Sequence, residues 1–353
     1  MSASEAAAGG RWRDRLVYNR ATGRFVLAPI ASWAYGRHAR TGHTPRSGYV
    51  AMRKLYGADP AAFERLADRA AVADPPPTPG TGGLAAGMVD RIVATLRTDG
   101  YAVLPHRLDA AACDDLEATA RSAPCALVGT DDPADPARFD EHRPLAPRYD
   151  VAEEVVVQSP AAQRLVADAS LLEVAHRYLG GQPVQDLVAM WWSTPAGPSG
   201  SSAAAQRFHF DLDRLRFLKV FVFLTDVGDD SGPHVYVRGS HRHDAVPAAL
   251  RRDGRHADEL VHRTFGSDVH RIGGPRGTVF LADTRGLHKG ESVRRGHRLV
   301  FQTEYATSLF GAPHTSPSVT RPAPELVAAQ EAHPGTFDRL DLNSARFETI
   351  PLA

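Results

Sequence analysis

Cysteine is nearly absent, with Cys113 and Cys125 the only two in 353 residues. So few exclude a disulfide scaffold or a zinc ribbon and leave two reduced thiols, buried or incidental. An excess of charge is missing too, because 41 basic residues meet 41 acidic ones. A chain of zero net charge offers no global attraction to nucleic acid or to an anionic membrane. No apolar run reaches the ~18 residues of a membrane helix, and the start "MSASEAAAGGRWRDR" has no hydrophobic signal core. A cytoplasmic chain, monomer or homodimer, acting on a small molecule is the expectation. Neither an internal repeat nor a glycine-rich phosphate loop occurs.

What is present is an ordinary globular composition, 43% hydrophobic and 23% charged, with a generous sixteen histidines. The first ten residues are small and polar, and disorder is expected there. The stretch "DPPPTPGTGG", residues 74–83, is the strongest breaker in the chain. It divides an N-terminal extension (1–83), which carries a helical pattern in "AAFERLADRAAVA", from a main domain (84–306). Residues 307–353 are left as a tail packed on the core. The main domain opens with "LAAGMVDRIVATLRTDGYAVLP", a helical spacing stopped at Gly100 and followed by a strand. "DAAACDDLEATARSA" reads as a helix, and "SPAAQRLVADASLLEVAHRYL" as one or two with Ser159 as N-cap.

From about residue 183 the texture changes to short strands between Gly, Pro, Asp and Ser clusters, interrupted by a helical insertion over 244–262. Helices first and then many strands predict an antiparallel sandwich or barrel with helices outside. Within it, "RFHFD" sets His209 and Asp211 two apart, so both project from one face of a strand while Phe208 and Phe210 point opposite. An imidazole and a carboxylate converging there supply two ligands to a divalent metal, and a distant histidine completes a facial triad. A surface strand with two polar residues is the plain alternative. Two later features favour the metal: His288 stands just past the strand "GTVFLAD", and "HRLVFQTEYA" opens one face with Arg298, followed by Val300, Gln302 and Glu304. A buried guanidinium there needs an anionic partner.

Five segments in order over residues 84–306 resemble the phytanoyl-CoA dioxygenase-like (PhyH-type) family of Fe(II)/2-oxoglutarate-dependent oxygenases. They are "LRTDGYAVLP", "LLEVAHRYLGG", "QRFHFD", "LTDVGDDSGPHVYVRGSHR" and "GTVFLADTRGLHKG". The resemblance implies an α+β chain with a mainly β core: a double-stranded β-helix (jelly-roll, cupin-like) over about 183–306, with flanking helices. It implies Fe(II), 2-oxoglutarate and O₂ as cofactors, with His209, Asp211 and His288 holding the iron. Arg298 is implied as the partner of the distal cosubstrate carboxylate, with Thr225, Gln206 and Trp192 as further contacts. The family often has Ser or Thr two residues past the distal histidine; Gly290 stands there, so Thr225 or Gln302 is expected to compensate. The implied reaction is hydroxylation of an unactivated C–H bond, possible also in natural-product biosynthesis, with release of succinate and CO₂. Because Asp211 supplies a carboxylate where related halogenases have a small residue, halogenation is not expected. The alternatives are a cupin-type metalloenzyme without 2-oxoglutarate and a non-enzymatic jelly-roll binding module.

Other residues carry weaker readings. One of Trp191 and Trp192 faces inward, as a pocket wall or a core aromatic. His241 of the "GSH" turn reads as structural, and His234 as a residue of the mouth at most. Arg207, Arg214, Arg216 and Lys219 read as a solvated strand edge, or else as attraction for an acidic substrate. The long loop 129–150 reads as a substrate lid with Tyr149 as a liner.

Overall fold

The computed structural model describes residues 16–71, 84–130, 136–196 and 203–342. The expected disordered start and the whole 74–83 linker lie outside the described residues. Among the described residues ten strands run in chain order: β1 (Tyr101–Arg107), β2 (Cys125–Val128), β3 (Arg148–Val151), β4 (Val184–Ser193), β5 (Phe217–Phe223), β6 (His234–Val237), β7 (Val269–Ile272), β8 (Thr278–Ala282), β9 (His288–Gly290) and β10 (Arg298–Ala306). They form a seven-stranded sheet ordered β1-β8-β5-β10-β4-β3-β2 and a three-stranded sheet ordered β7-β6-β9. Every pairing is antiparallel. From β4 onward the chain winds between the two sheets: β4 and β5 lie in the large sheet, β6 and β7 in the small one, then β8 returns to the large, β9 to the small and β10 to the large, as in a double-stranded β-helix.

The segment expected as the metal strand is not a regular strand. Phe208 bridges to His256 and His209 to His288, so residues 208–209 lengthen the small sheet beyond β9 by isolated bridges. The alternation survives the irregularity. Phe208 and Phe210 enter an apolar layer with Val235, Val237 and Leu287, while His209 and Asp211 face the cavity.

The N-terminal extension closes that apolar layer. Helices Arg46–Ala58 and Pro60–Ala70 contribute Met52, Leu55, Phe63 and Leu66 to it. Pro60 opens the second helix, and the Asp59 carboxylate accepts from Ala62 N at 3.1 Å. Each large apolar side chain buried here contributes ~1.5–3 kcal/mol. The small sheet therefore depends on the extension for its outer cover. The "RFVLAPIASWAYG" stretch belongs to the helix Ala28–Thr41 and the π-turn Gly23–Leu27 before it.

Helices Ala86–Asp99, Ala110–Ser122, Pro160–Val166 and Ala169–Leu179 pack on the outer face of the large sheet. The last two are separate because Asp168 caps the second, accepting from Leu171 N at 2.9 Å. Ser159 caps the first, accepting from Ala162 N. Gly100 ends its helix at φ 84°, where a Cβ would lie 2.3 Å from Tyr236 Oη; glycine is required twice over. In the tail, Leu326, Phe337 and Leu340 join the same apolar layer. The 244–262 insertion is mostly irregular, and its helix, Asp258–Phe265, begins late and runs past the expected end.

Candidate metal and cosubstrate site

The site begins with two backbone hydrogen bonds. His209 N donates to His288 O at 2.9 Å and His288 N donates to His209 O at 3.0 Å, so two residues 79 positions apart become direct neighbours. Asp211 is fixed next, its N–H donating to Thr284 O at 2.8 Å. The side chains then converge. His209 Nε2 lies 3.3 Å from Asp211 Oδ1, His288 Nε2 lies 3.4 Å from Asp211 Oδ2, and one ligand atom from each residue falls within 4.8 Å of the others. Three ligands ~2.1 Å from one ion at right angles stand about 3 Å apart, close to these spacings.

The imidazoles are oriented for the task. Nδ1 of His209 lies 2.8 Å from Arg207 O, and Nδ1 of His288 lies 2.9 Å from Gly286 O. A carbonyl only accepts, so each Nδ1 donates and each Nε2 presents a lone pair toward Asp211. Burial, with His288 beside it, pushes His209 below its usual pKa and favours the neutral, ligating form. Burial alone would raise the Asp211 carboxyl, but Lys219 and His288 hold it well below the usual carboxylate range. Two imidazoles and one carboxylate fit a divalent iron with open positions.

Above the triad is a cavity of about 200 Å³, bounded on one side by the inner face of the large sheet. The strand registers arrange that face in cross-strand rows. Lys219, Glu304 and Leu187 form the first row, and Phe221, Gln302 and Ala189 the second. Phe223, Val300 and Trp191 form the third, and Arg298, Ser193 and Arg148 the last. Arg298, Gln302 and Glu304 therefore share the inward face of β10, while Leu299, Phe301 and Tyr305 enter the outer core.

Arg298 is the unusual member. It is buried and lines the cavity, and Nη2 donates to Ser193 Oγ at 3.0 Å. Its Nε has no hydrogen-bond partner, and no carboxylate pairs with it among the described residues. Burial pushes its pKa down to about 10, with Arg148 adding to the effect and Glu291 opposing it. An unpaired buried cation is costly unless an anion arrives to meet it. Gly290 stands beside it, and a Cβ there would lie 3.3 Å from Nη2.

Three expected contacts stand elsewhere. Trp192 points away from the cavity, stacked on Phe139 at 4.1 Å in the outer core, and its neighbour Trp191 lines the cavity instead. Thr225 lies past the end of β5, and its hydroxyl accepts from Leu299 N at 3.2 Å. Gln206 is buried without lining the cavity. Strand parity accounts for the tryptophans: Ser193 is paired with inward Arg298, so Trp191 faces in and Trp192 out. The same parity removes Tyr149 from the lid. It is fully buried beside Phe139, and Arg148 before it turns inward.

Of the basic neighbourhood only Arg207 is exposed as a solvated residue; the other three are not a solvated edge. Arg214 is buried on Asp186, with Nε and Nη2 each 2.7 Å from a carboxylate oxygen, and Arg216 pairs with Glu64 and Asp68. Lys219 enters the cavity. His241 is structural, its Nε2 lying 3.1 Å from Arg97 O. His234 lines the cavity, its ring parallel to that of His288 at 5.4 Å. Burial, with His288 and Arg298 nearby, holds it well below its usual pKa.

The phytanoyl-CoA dioxygenase (PhyH) family model matches residues 96–298, more than half of the chain and a range containing the triad and Arg298. No curated protein matches. Among solved structures, AviO1 from Streptomyces viridochromogenes Tue57 is 21% identical, covering 64% of this chain and 97% of its own, at a TM-score of 0.42. EctD from S. alaskensis, with 2-oxoglutarate and 5-hydroxyectoine, is 21% identical over 67% of this chain and 82% of its own, at 0.45. HygX from Streptomyces hygroscopicus, with nickel, 2-oxoglutarate and hygromycin B bound, is 14% identical over 67% of this chain and 93% of its own, at 0.45. The chain belongs to the phytanoyl-CoA dioxygenase (PhyH) family of iron- and 2-oxoglutarate-dependent oxygenases.

Proposed function

We propose that this oxygenase hydroxylates an unactivated C–H bond of a small organic molecule. His209, Asp211 and His288 hold the iron, and the last cross-strand row holds the distal carboxylate of 2-oxoglutarate. The carrying observation is Arg298, a buried guanidinium with no carboxylate partner among the described residues, facing the cavity that the triad also lines. A carboxylate arriving there receives a charge-assisted hydrogen bond from Arg298 and a hydroxyl from Ser193. Arg148 extends the row, its guanidinium 4.5 Å from the centre of the Trp191 ring. Ser193 thus supplies the hydroxyl that Gly290 does not.

Bound iron supplies the activation of O₂ that couples decarboxylation of 2-oxoglutarate to attack on a C–H bond. One oxygen atom ends in succinate and the other in the alcohol, with CO₂ released. The protein's share is binding, orientation and exclusion of water. Phe221, Phe223 and Val300 form an apolar wall between the Lys219 row and the Arg298 row, suited to the methylene stem of the cosubstrate. Phe280 of β8 extends that wall beside Phe221, and neutral His234 of the small sheet closes the opposite side.

The test is turnover of 2-oxoglutarate by iron-loaded protein, followed as succinate formed per O₂ consumed. The reading expects Fe(II)-dependent succinate that is lost in His209→Ala, and substrate candidates that gain one oxygen by mass. Iron-dependent chemistry without succinate would favour a cupin-type enzyme, and no metal-dependent chemistry a binding module.

A further inference from the structure

The central strand β5 sends one charged side chain, Lys219, into the cavity, and its ammonium is buried. Nζ stands 2.7 Å from Asp211 Oδ2 and 3.4 Å from Glu304 Oε2. Glu304 faces Lys219 directly across the β5–β10 register and is itself 2% exposed. An ammonium has three hydrogens to place and cannot be left alone in an apolar interior. Asp211 alone, shared with a metal, would not satisfy it; Glu304 supplies the second acceptor and fixes the lysine in place.

The two oxygens of Asp211 are thereby made different. Oδ1 faces His209 Nε2 at 3.3 Å and Oδ2 faces His288 Nε2 at 3.4 Å, but Oδ2 alone also accepts from the ammonium, at 2.7 Å. A hydrogen bond that short and charge-assisted draws electron density from Oδ2 and makes it a weaker metal donor than Oδ1. We infer that Lys219, locked by Glu304, is a positioning residue that restricts Asp211 to iron ligation through a single oxygen. This inference rests on the iron reading above. Its consequence is that the position a two-oxygen carboxylate would take stays open for the chelating end of 2-oxoglutarate. Partners of a ligating carboxylate commonly tune a metal site in this way.

Cobalt(II) tests it without turnover, through the visible d–d spectrum of the metal-loaded protein before any cosubstrate is added. Lys219→Met with Glu304→Gln removes the pair and leaves no orphan charge. This variant is expected to bind cobalt with a shifted spectrum and to bind 2-oxoglutarate on the order of tenfold more weakly. Lys219→Gln with Glu304→Gln keeps an N–H donor for Oδ2 and is expected to restore the wild-type spectrum. If the first variant does not fold, judged by circular dichroism, the second decides: a wild-type spectrum supports the role and a shifted one overturns it. A wild-type spectrum in the folded first variant overturns the inference, as does a shift that emerges only after 2-oxoglutarate is added. Failure of the iron reading looks different: wild-type protein would show no cobalt spectrum that depends on His209.

Discussion

Arg298 Nη2 donates to Ser193 Oγ across 3.0 Å, and that hydroxyl is the single acceptor this buried guanidinium finds among the described residues. The contrast with Arg214, which is equally buried but paired with Asp186 through two 2.7 Å hydrogen bonds, separates a cation kept for a ligand from one spent on the fold.

That contrast gives opposite expectations for two alanine substitutions. Arg298→Ala raises the KM for 2-oxoglutarate roughly 10- to 100-fold, the worth of a charged hydrogen bond of ~1.5–3 kcal/mol. It leaves the melting temperature of the metal-free protein unchanged or higher, since an unpaired charge is removed. Arg214→Ala strands Asp186 and costs ~3–5 kcal/mol in urea unfolding. A large loss of stability in Arg298→Ala would mean that its charge is satisfied inside the fold.

Adjacent tryptophans divide in the same way. Trp192 is fully buried and stacked on Phe139, so Trp192→Ala costs ~3–5 kcal/mol of stability. Trp191 walls the cavity and carries the Arg148 guanidinium on its face. Trp191→Ala spares most of the stability and raises the KM for 2-oxoglutarate several-fold, from loss of a ~1 kcal/mol cation–π contact. Chemical denaturation and steady-state kinetics of both variants check the division.

Buried and half-buried histidines set the acid side of the stability profile. Desolvation lowers the pKa of His38 to about 4, holds His234 well below its usual value, and lowers His241, His256 and His297 as well. In the unfolded chain these groups take up protons below about 6.5. The unfolded state therefore binds more protons in the window from about 6.5 down to about 4, and stability present at neutral pH is lost as pH falls through it. Urea midpoints of the metal-free protein should drop across that window, and His38→Gln should flatten the decline. A midpoint that does not change with pH would contradict the burial of these rings.

Much of this was legible in the sequence, because the metal pair obeys the simplest periodicity in a β chain. His209 and Asp211 share a face, Phe208 and Phe210 take the other, and the N-terminal helices cover those phenylalanines. Lys219 was misread because a lysine in "RFLKVFVFL" looks like an edge charge. The sheet order places β5 between β8 and β10, so that charge has nowhere to go but the cavity. Its alternation with Phe221 and Phe223 was the available signal. Trp192 and Tyr149 failed for another reason: parity on β3 and β4 follows from their register with β10, and pairing partners are not written in either strand. Ser193 and Arg148 became visible only through the same register.

The most direct measurement is an anaerobic titration with Fe(II) and 2-oxoglutarate, following the weak visible charge-transfer band of the chelate. The account predicts a band in the wild type, no band in His209→Ala, and a band in Arg298→Ala that needs roughly 10- to 100-fold more 2-oxoglutarate. Iron-loaded wild type without a band, or Arg298→Ala titrating like the wild type, would contradict it.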